Sequence, residues 1–263
     1  MRLIAKRVLI FGFIAALSAT TASAGLIGHW PFEEGSGDTT ADLSGSGTTG
    51  TIAKGATSGP DGGSAWVNDP TRGSVLGFGG GEDSAYVRAG SIPVMTLDND
   101  FTWAFWANHH PDNTMPNNIV VGNRNNAEGA DFTPRQFIKF TPTKFEWHMN
   151  GNGNDNTEYP DFIDTAGTWQ HHTVVKDGAD VTYYLNGAET SMGTVTQALD
   201  NPQPLFFGGD NQGADGENWQ GLLDDVRIYD HALSAGDVRA LVPEPSSAAL
   251  LLVGLLSLVR RQR

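Results

Sequence analysis

The chain has no cysteine among its 263 residues. No disulfide can hold it together, and no thiolate zinc site can form. Basic side chains are scarce as well: 16 Lys and Arg stand against 30 Asp and Glu, a formal net charge of −14. Six of these basic residues lie near the ends (Arg2, Lys6, Arg7, Arg260, Arg261 and Arg263). Residues 25–242 therefore hold 10 basic against 29 acidic side chains, a balance of −19. The basic patch that phosphate backbones require is missing, which excludes nucleic acid as a partner. Helix-period stretches are few, and long hydrophobic runs occur only at the two ends.

Those ends have their own grammar. Arg2, Lys6 and Arg7 precede the apolar run "VLIFGFIAAL" (8–17), and "ASA" (22–24) offers small residues for cleavage. This order reads as a secretory signal peptide over residues 1–24. At the other end Pro243-Glu244-Pro245 precede an apolar stretch, 246–259, and a final group of arginines. Fourteen residues make about 21 Å of helix, short of a hydrocarbon core of roughly 30 Å. Such a span needs snorkelling arginines, which the positive-inside rule keeps cytoplasmic, with the body outside. It suits a transient hold on the membrane better than a permanent anchor.

Between the ends, short aromatic and β-branched runs alternate with Gly, Asn, Asp and Pro clusters. They are "LIGHWPF" (26–32), "SVLGF" (74–78), "SAYVR" (84–88), "FTWAFWAN" (101–108), "NIVVGNR" (118–124), "RQFIKFT" (135–141), "KFEWHM" (144–149), "QHHTVVK" (170–176), "VTYYLNG" (181–187), "PLFFGG" (204–209) and "GLLDDVRIYD" (221–230). Phe101, Trp103 and Phe105 share one face of a strand, and Thr102, Ala104 and Trp106 share the other. "KDGADVTYYLNG" signals a hairpin. A turn or two of helix is expected at "SAGDVRAL" (234–241), with Ser234 as cap and Asp237 as its partner. About a dozen strands with no βαβ rhythm predict one all-β antiparallel sandwich over residues 25–242, large enough for its own core. Three polar loops interrupt it, at 108–118, 150–161 and 208–218.

Several strings resemble a known family. "GLIGHWPFEEGSGDTTADLSGSGTTGTI", "DNDFTWAFWAN", "TWQHHTVVKDGADVTYYLNGAE" and "GLLDDVRIYDHALSAGDVRAL" are similar to segments of laminin-G-like, concanavalin A-like domains of exported bacterial proteins. The resemblance implies a jelly-roll sandwich of two large antiparallel sheets, with the first and last strands close together. The tail resembles a PEP-CTERM sorting signal of Gram-negative bacteria. That implies Pro243, Glu244 and Pro245 as sorting motif, an exosortase-type protease as transient partner, contact with the membrane only through this tail, and a mature protein that is secreted or held at the cell surface or matrix.

The fold also hosts glycoside hydrolases, which need two carboxylates about 5–9.5 Å apart. No E-x-D-x-x-E string is present. Glu82 and Asp83, like Asp224 and Asp225, are neighbours that alternation sends to opposite faces, and Glu146 stands alone. The expectation is a protein that is not an enzyme. His109-His110 and His171-His172 are neighbours too, which disfavours one shared metal. Calcium fits better, because it takes hard oxygen ligands. If the termini meet, Glu34, Asp42 and Asp224 converge on one edge. Glu34 shares a strand face with Trp30 and Phe32, and Asp224 with Val226 and Ile228. A core-facing carboxylate must be paired or metal-bound. The alternative is that Asp224 pairs with Arg88 or Arg227, or accepts backbone bonds. For ligand binding the candidates are Trp66, Trp106, Trp147, Trp219 and Tyr159, with Trp219, Asn211 and Tyr159 first because they lie in or beside polar loops. Three functions stay open: a module binding polysaccharide or a cell-surface protein, a structural matrix protein without small ligand, and a polysaccharide hydrolase or lyase.

Overall fold

The computed structural model describes residues 25–53, 65–80, 84–91, 99–112, 118–123, 137–148, 154–158, 166–195, 204–209 and 217–242. The signal peptide, the sorting motif Pro243-Glu244-Pro245, the tail beyond it, Asn211 and Tyr159 lie outside them.

Among the described residues, sixteen strands and one short helix follow the chain order β1 (Leu26–Trp30), β2 (Thr39–Thr40), β3 (Gly50–Ala53), β4 (Trp66–Asp69), β5 (Gly73–Gly79), β6 (Tyr86–Ser91), β7 (Phe101–His109), β8 (Val121–Gly122), β9 (Phe137–Phe140), β10 (Lys144–His148), β11 (Asn154–Glu158), β12 (Trp169–Asp177), β13 (Asp180–Leu185), β14 (Ala188–Thr194), β15 (Pro204–Phe207), β16 (Gln220–Tyr229) and α1 (Ala235–Ala240). They form two eight-stranded sheets. The first runs β14-β13-β12-β7-β16-β5-β4, with β1 paired to β16; the second runs β11-β10-β9-β8-β15-β6-β3-β2. Every strand pairing is antiparallel, and the first and last strands adjoin through Trp30↔Val226 and His29↔Arg227. This is the all-β sandwich that the strand spacing predicts.

Alternation builds the core. Phe101, Trp103 and Phe105 of β7 face inward, with Phe140, Phe145 and Trp147 of the second sheet in the same cluster. Edge-to-face rings lock the layers, as in Phe105–Phe140 at 4.6 Å and Trp103–Phe145 at 5.9 Å. Full burial of such side chains stabilises the fold by about 1.5–3 kcal/mol each.

Two tight turns fix the register of β12, β13 and β14. Gly178 and Ala179 close the first hairpin, where Asp177 pairs with Asp180. Asn186 and Gly187 close the second, with φ of 50° and 77°, the left-handed pair that a two-residue type I′ turn demands.

A small second core lies outside the first sheet. Ser234 caps α1 in a reciprocal capping box with Asp237. Val238, Leu233 and Leu241 then pack on Val175, Tyr184 and Tyr229. Thr102 ties the approach to α1 down, donating to the His231 carbonyl at 2.9 Å and accepting from Leu233 N–H at 3.0 Å. The outer face of the first sheet is thus covered at one end by α1 and left for other uses beyond it.

Candidate functional site

A groove of about 820 Å³ opens on that outer face. It is lined by Trp106 of β7, Trp169 of β12, Tyr184 of β13, Glu189 of β14, and Ala235 and Arg239 of α1, with the Asn186-Gly187 turn at one side and Val242 at its rim. Each residue is there for a local reason. Trp106 has the outward parity of β7, opposite Phe105, and Trp169 pairs across to Asn108 where β12 begins. Gly187 brings its turn against α1: a Cβ there would sit 3.4 Å from Arg239 Cα, and its φ of +77° already favours glycine.

The two indoles are held from behind. The Arg72 guanidinium, from the turn after β4, lies 4.3 Å from the Trp106 ring centre and 5.3 Å from that of Trp169. Arg72 Nε donates to Asp224 Oδ2 at 2.6 Å. Trp169 Nε1 donates to Asp69 Oδ2 at 3.1 Å, while Asp69 Oδ1 accepts from Thr71 and from Arg72 N–H. His171 meets the Trp106 ring edge-on at 5.1 Å and bonds Thr173.

The electrostatics follow from burial. His171 is held neutral, its pKa pushed down to about 3 by loss of solvent. Burial raises Asp224 to about 6, against the pull of Arg72, and the adjacent Asp225 charge adds to the rise. Asp224 Oδ1 has no hydrogen-bond partner among the described residues. Burial acts on Asp225 in the same sense, yet its bonds from His29 and Arg227 outweigh that and its pKa is lowered. The Tyr184 hydroxyl is raised by burial and by Glu189, with Arg239 opposing.

The sequence-derived site residues fare differently. Trp219 is fully buried, so it is not a surface platform. Its ring packs on Phe78 and its Nε1 donates to His109 Nδ1 at 3.2 Å. Gly221 makes room for it, since a Cβ there would fall 2.4 Å from the indole. Trp66 and Trp147 are buried as well. Of the tryptophans weighed for binding, Trp106 is the one that reaches the groove. Trp169, Tyr184, Asn186, Glu189 and Arg239 were not singled out. The signals were the outward parity of Trp106 and the Asn-Gly turn that gathers three strands and α1.

Glu34, Asp42 and Asp224 each have protein partners. The strand ends at Trp30 and Phe32 takes φ 56°, so alternation does not carry through to Glu34, which is exposed. Glu34 accepts from Ala41 N–H at 2.7 Å and Thr40 Oγ1 at 3.4 Å. Asp42 accepts from the amides of His29, Ser44 and Thr48 and from the Ser46 hydroxyl. Asp224 faces away from the core because β16 carries a bulge between Asp224 and Arg227, with Asp225 at φ 51°. The extra residue puts Asp224 beside Trp106 while Leu223 and Val226 both point inward. Its partner is Arg72, not Arg88 or Arg227. Among the described residues no group of three or more His, Asp or Glu side chains could hold a metal ion.

Comparison with known proteins agrees with this architecture. Residues 79–239 match the family model described as the Concanavalin A-like lectin/glucanases superfamily. The chain belongs to this superfamily. No curated protein matches it. Among solved structures, domain 4 of AbnA, a GH43 extracellular arabinanase from Geobacillus stearothermophilus, in complex with arabinotriose, superposes with a TM-score of 0.60 at 18% identity, over 83% of this chain and 98% of that one. The binding domain of botulinum neurotoxin DC in complex with SialylT gives 0.57 at 15%, over 84% of this chain and 52% of that one. The same toxin domain in complex with rat synaptotagmin II gives 0.55 at 16%, over 83% and 51%. The superfamily member described here thus spans about half the length of those toxin domains.

Proposed function

We propose that this chain is an exported, non-catalytic β-sandwich module that binds polysaccharide through the outer-face groove, at the cell surface or in the surrounding matrix. The observation that carries the reading is the meeting of Trp106, Trp169 and Tyr184 with Asn186, Glu189 and Arg239 in one groove. A sugar offers apolar C–H faces and a rim of hydroxyls. Indole and phenol rings stack on the first, and amide, carboxylate and guanidinium groups bond the second. The indoles are fixed before a ligand arrives, which lowers the ordering cost of binding. The groove volume falls within the range of ordinary ligand sites, about 300–1,000 Å³. Solved neighbours carrying arabinotriose and SialylT support a carbohydrate ligand.

The lining supports binding over hydrolysis. Among the described residues, Glu189 is its one carboxylate, whereas glycoside hydrolysis uses a pair about 5–9.5 Å apart.

In a native gel cast with soluble polysaccharide, the full chain is expected to be retarded, and Trp169→Ala to run as if no polysaccharide were present. Equal retardation of the variant would remove the groove from the reading; no retardation by any polysaccharide would remove the function. Export is read from the signal peptide and the Pro243-Glu244-Pro245 tail. Mass spectrometry of the mature protein should find Gly25 at its start and no Arg263; recovery of both original ends would overturn it.

A further inference from the structure

We infer that the groove takes a neutral sugar chain, and that Arg72 serves it as a positioning residue for the two indoles rather than as a contact for an anion. The inference rests on the carbohydrate reading above and narrows its ligand class.

The positive charges near the groove decide the matter. Arg72 is the one that lies against both tryptophans, but its charge is already engaged. Nε is 2.6 Å from Asp224 Oδ2, and the Asp224 side chain is 5% exposed. An anionic sugar that drew Arg72 away would leave that carboxylate buried and unpaired, a costly state. Arg72 is also absent from the residues lining the groove, where Arg239 is the only cation among those described. Arg239 does not stand alone, because Glu189 lines the same groove and both charges act on the Tyr184 hydroxyl. Beyond the groove, residues 25–242 carry a balance of −19, which repels a polyanion at long range. What the groove offers in quantity is ring surface and an amide, with one charge of each sign among the described lining residues. That set recognises C–H faces and hydroxyls, the surface of an uncharged sugar.

Arg72 then has a different task. A planar guanidinium can lie flat on an aromatic ring while its edge bonds a carboxylate. It does both here, and the Asp69 carboxylate that accepts from Arg72 N–H also holds the Trp169 indole N–H. One turn, residues 69–72, therefore orients the platform formed by Trp106 and Trp169. An ammonium could satisfy Asp224 but has no plane to stack.

The test is isothermal titration of the full chain with linear arabinan and a soluble β-glucan as neutral probes, and with polygalacturonate and alginate as anionic ones. At least one neutral probe is expected to bind, with affinity changing less than about twofold between about 50 and about 500 mM NaCl. Arg72→Gln is expected to weaken that binding roughly three- to tenfold, the scale of one lost stacking and hydrogen-bonding group. Arg72→Lys separates positioning from plain structure. It should regain the melting temperature by pairing with Asp224, yet leave the affinity as low as in Arg72→Gln. Preferential binding of either polyanion, falling steeply with salt, would overturn the ligand class and leave the groove standing. Unchanged affinity in Arg72→Gln, or affinity that returns with the melting temperature in Arg72→Lys, would overturn the positioning role. If none of the four probes binds, the carbohydrate reading falls and this inference falls with it.

Discussion

The two sheets turn their outer faces to different ends. On the second sheet, Ile138, Phe140, Phe145 and Trp147 face the core, so Lys139 and Glu146 point the other way, paired across β9 and β10. They are nonetheless buried. Lys139 Nζ lies 2.5 Å from Glu146 Oε1 and 2.5 Å from Glu217 Oε2, and Lys144 reaches Glu146 at 3.0 Å. The charges there close on one another. On the first sheet the corresponding cation, Arg72, is shared between a carboxylate and two indoles, and a groove opens beside them. Opposite charges alone make a buried knot; a cation placed on ring faces fixes a surface that something else can use.

The largest effect belongs to the buried cluster. Glu146→Ala takes the shared carboxylate from Lys139 and Lys144 and leaves Glu217 on the buried Lys139 ammonium, which should cost up to about 3–5 kcal/mol. For a body of this size that lowers the melting temperature by roughly 6–20 °C. Joint replacement of Lys139 and Glu146 by Met should recover most of the loss, since a well-packed apolar pair avoids desolvating charge. Sugar affinity of the folded protein should not move in either variant. A drop of less than about 1 kcal/mol for Glu146→Ala on urea unfolding would show the cluster to be as loose as an exposed ion pair.

The tryptophans sharpen the contrast. Trp219→Ala removes a fully buried ring and should cost about 3–5 kcal/mol. Trp169→Ala removes a half-buried one, so its unfolding midpoint should shift far less while sugar retardation is lost, at least about tenfold in affinity. The reverse pattern, with Trp219→Ala stable and defective in binding, would return the site to the polar loop before β16.

How much of this is readable in the sequence depends on the range of the interaction. The strand of Phe101 to Trp106 shows its inward and outward sets by alternation alone, and Ser234 with Asp237 announces the helix cap, because both signals are local. The Asn186-Gly187 turn is equally local, and so is the hairpin before it. Asp224 is harder. Its side is set by one extra residue in β16, at Asp225, and its partner Arg72 is 152 positions away. A period-two argument gives the wrong face once a bulge intervenes. Trp219 misleads for a related reason. Its Gly- and Asp-rich neighbourhood reads as surface, whereas the glycine two residues later is what lets the indole turn inward. The groove itself joins β7, β12, β13, β14 and α1, so no single segment contains it.

The smallest effect concerns protons, and Asp224 again separates the faces. His171 and His172 are both buried and held neutral, His171 at about 3 and His172 well below its ordinary value, in each case through burial first. The unfolded chain takes up these two protons below about pH 6.5. The native chain does not, so each histidine lowers stability by about 1.4 kcal/mol per unit as the pH falls from there toward 5. Asp224 works in the opposite direction. Its folded pKa is raised to about 6 from 3.8, so the stability it contributes is fully present below the unfolded value and is lost as pH rises through 6. Between about pH 6 and 5 the native protein therefore holds up to about one proton at Asp224, while the unfolded chain holds nearly two at the histidines. The net loss on acidification from these three groups is about 1.4 kcal/mol per unit. Asp224→Asn removes the compensating proton, and its acid loss should steepen by about the same amount. Urea unfolding of the two proteins at a series of pH values reads this difference directly, because every other titrating group cancels between them. Parallel pH curves would mean that Asp224 stays ionised beside Arg72 throughout, and that the ion pair on the first sheet is held as firmly as the knot on the second.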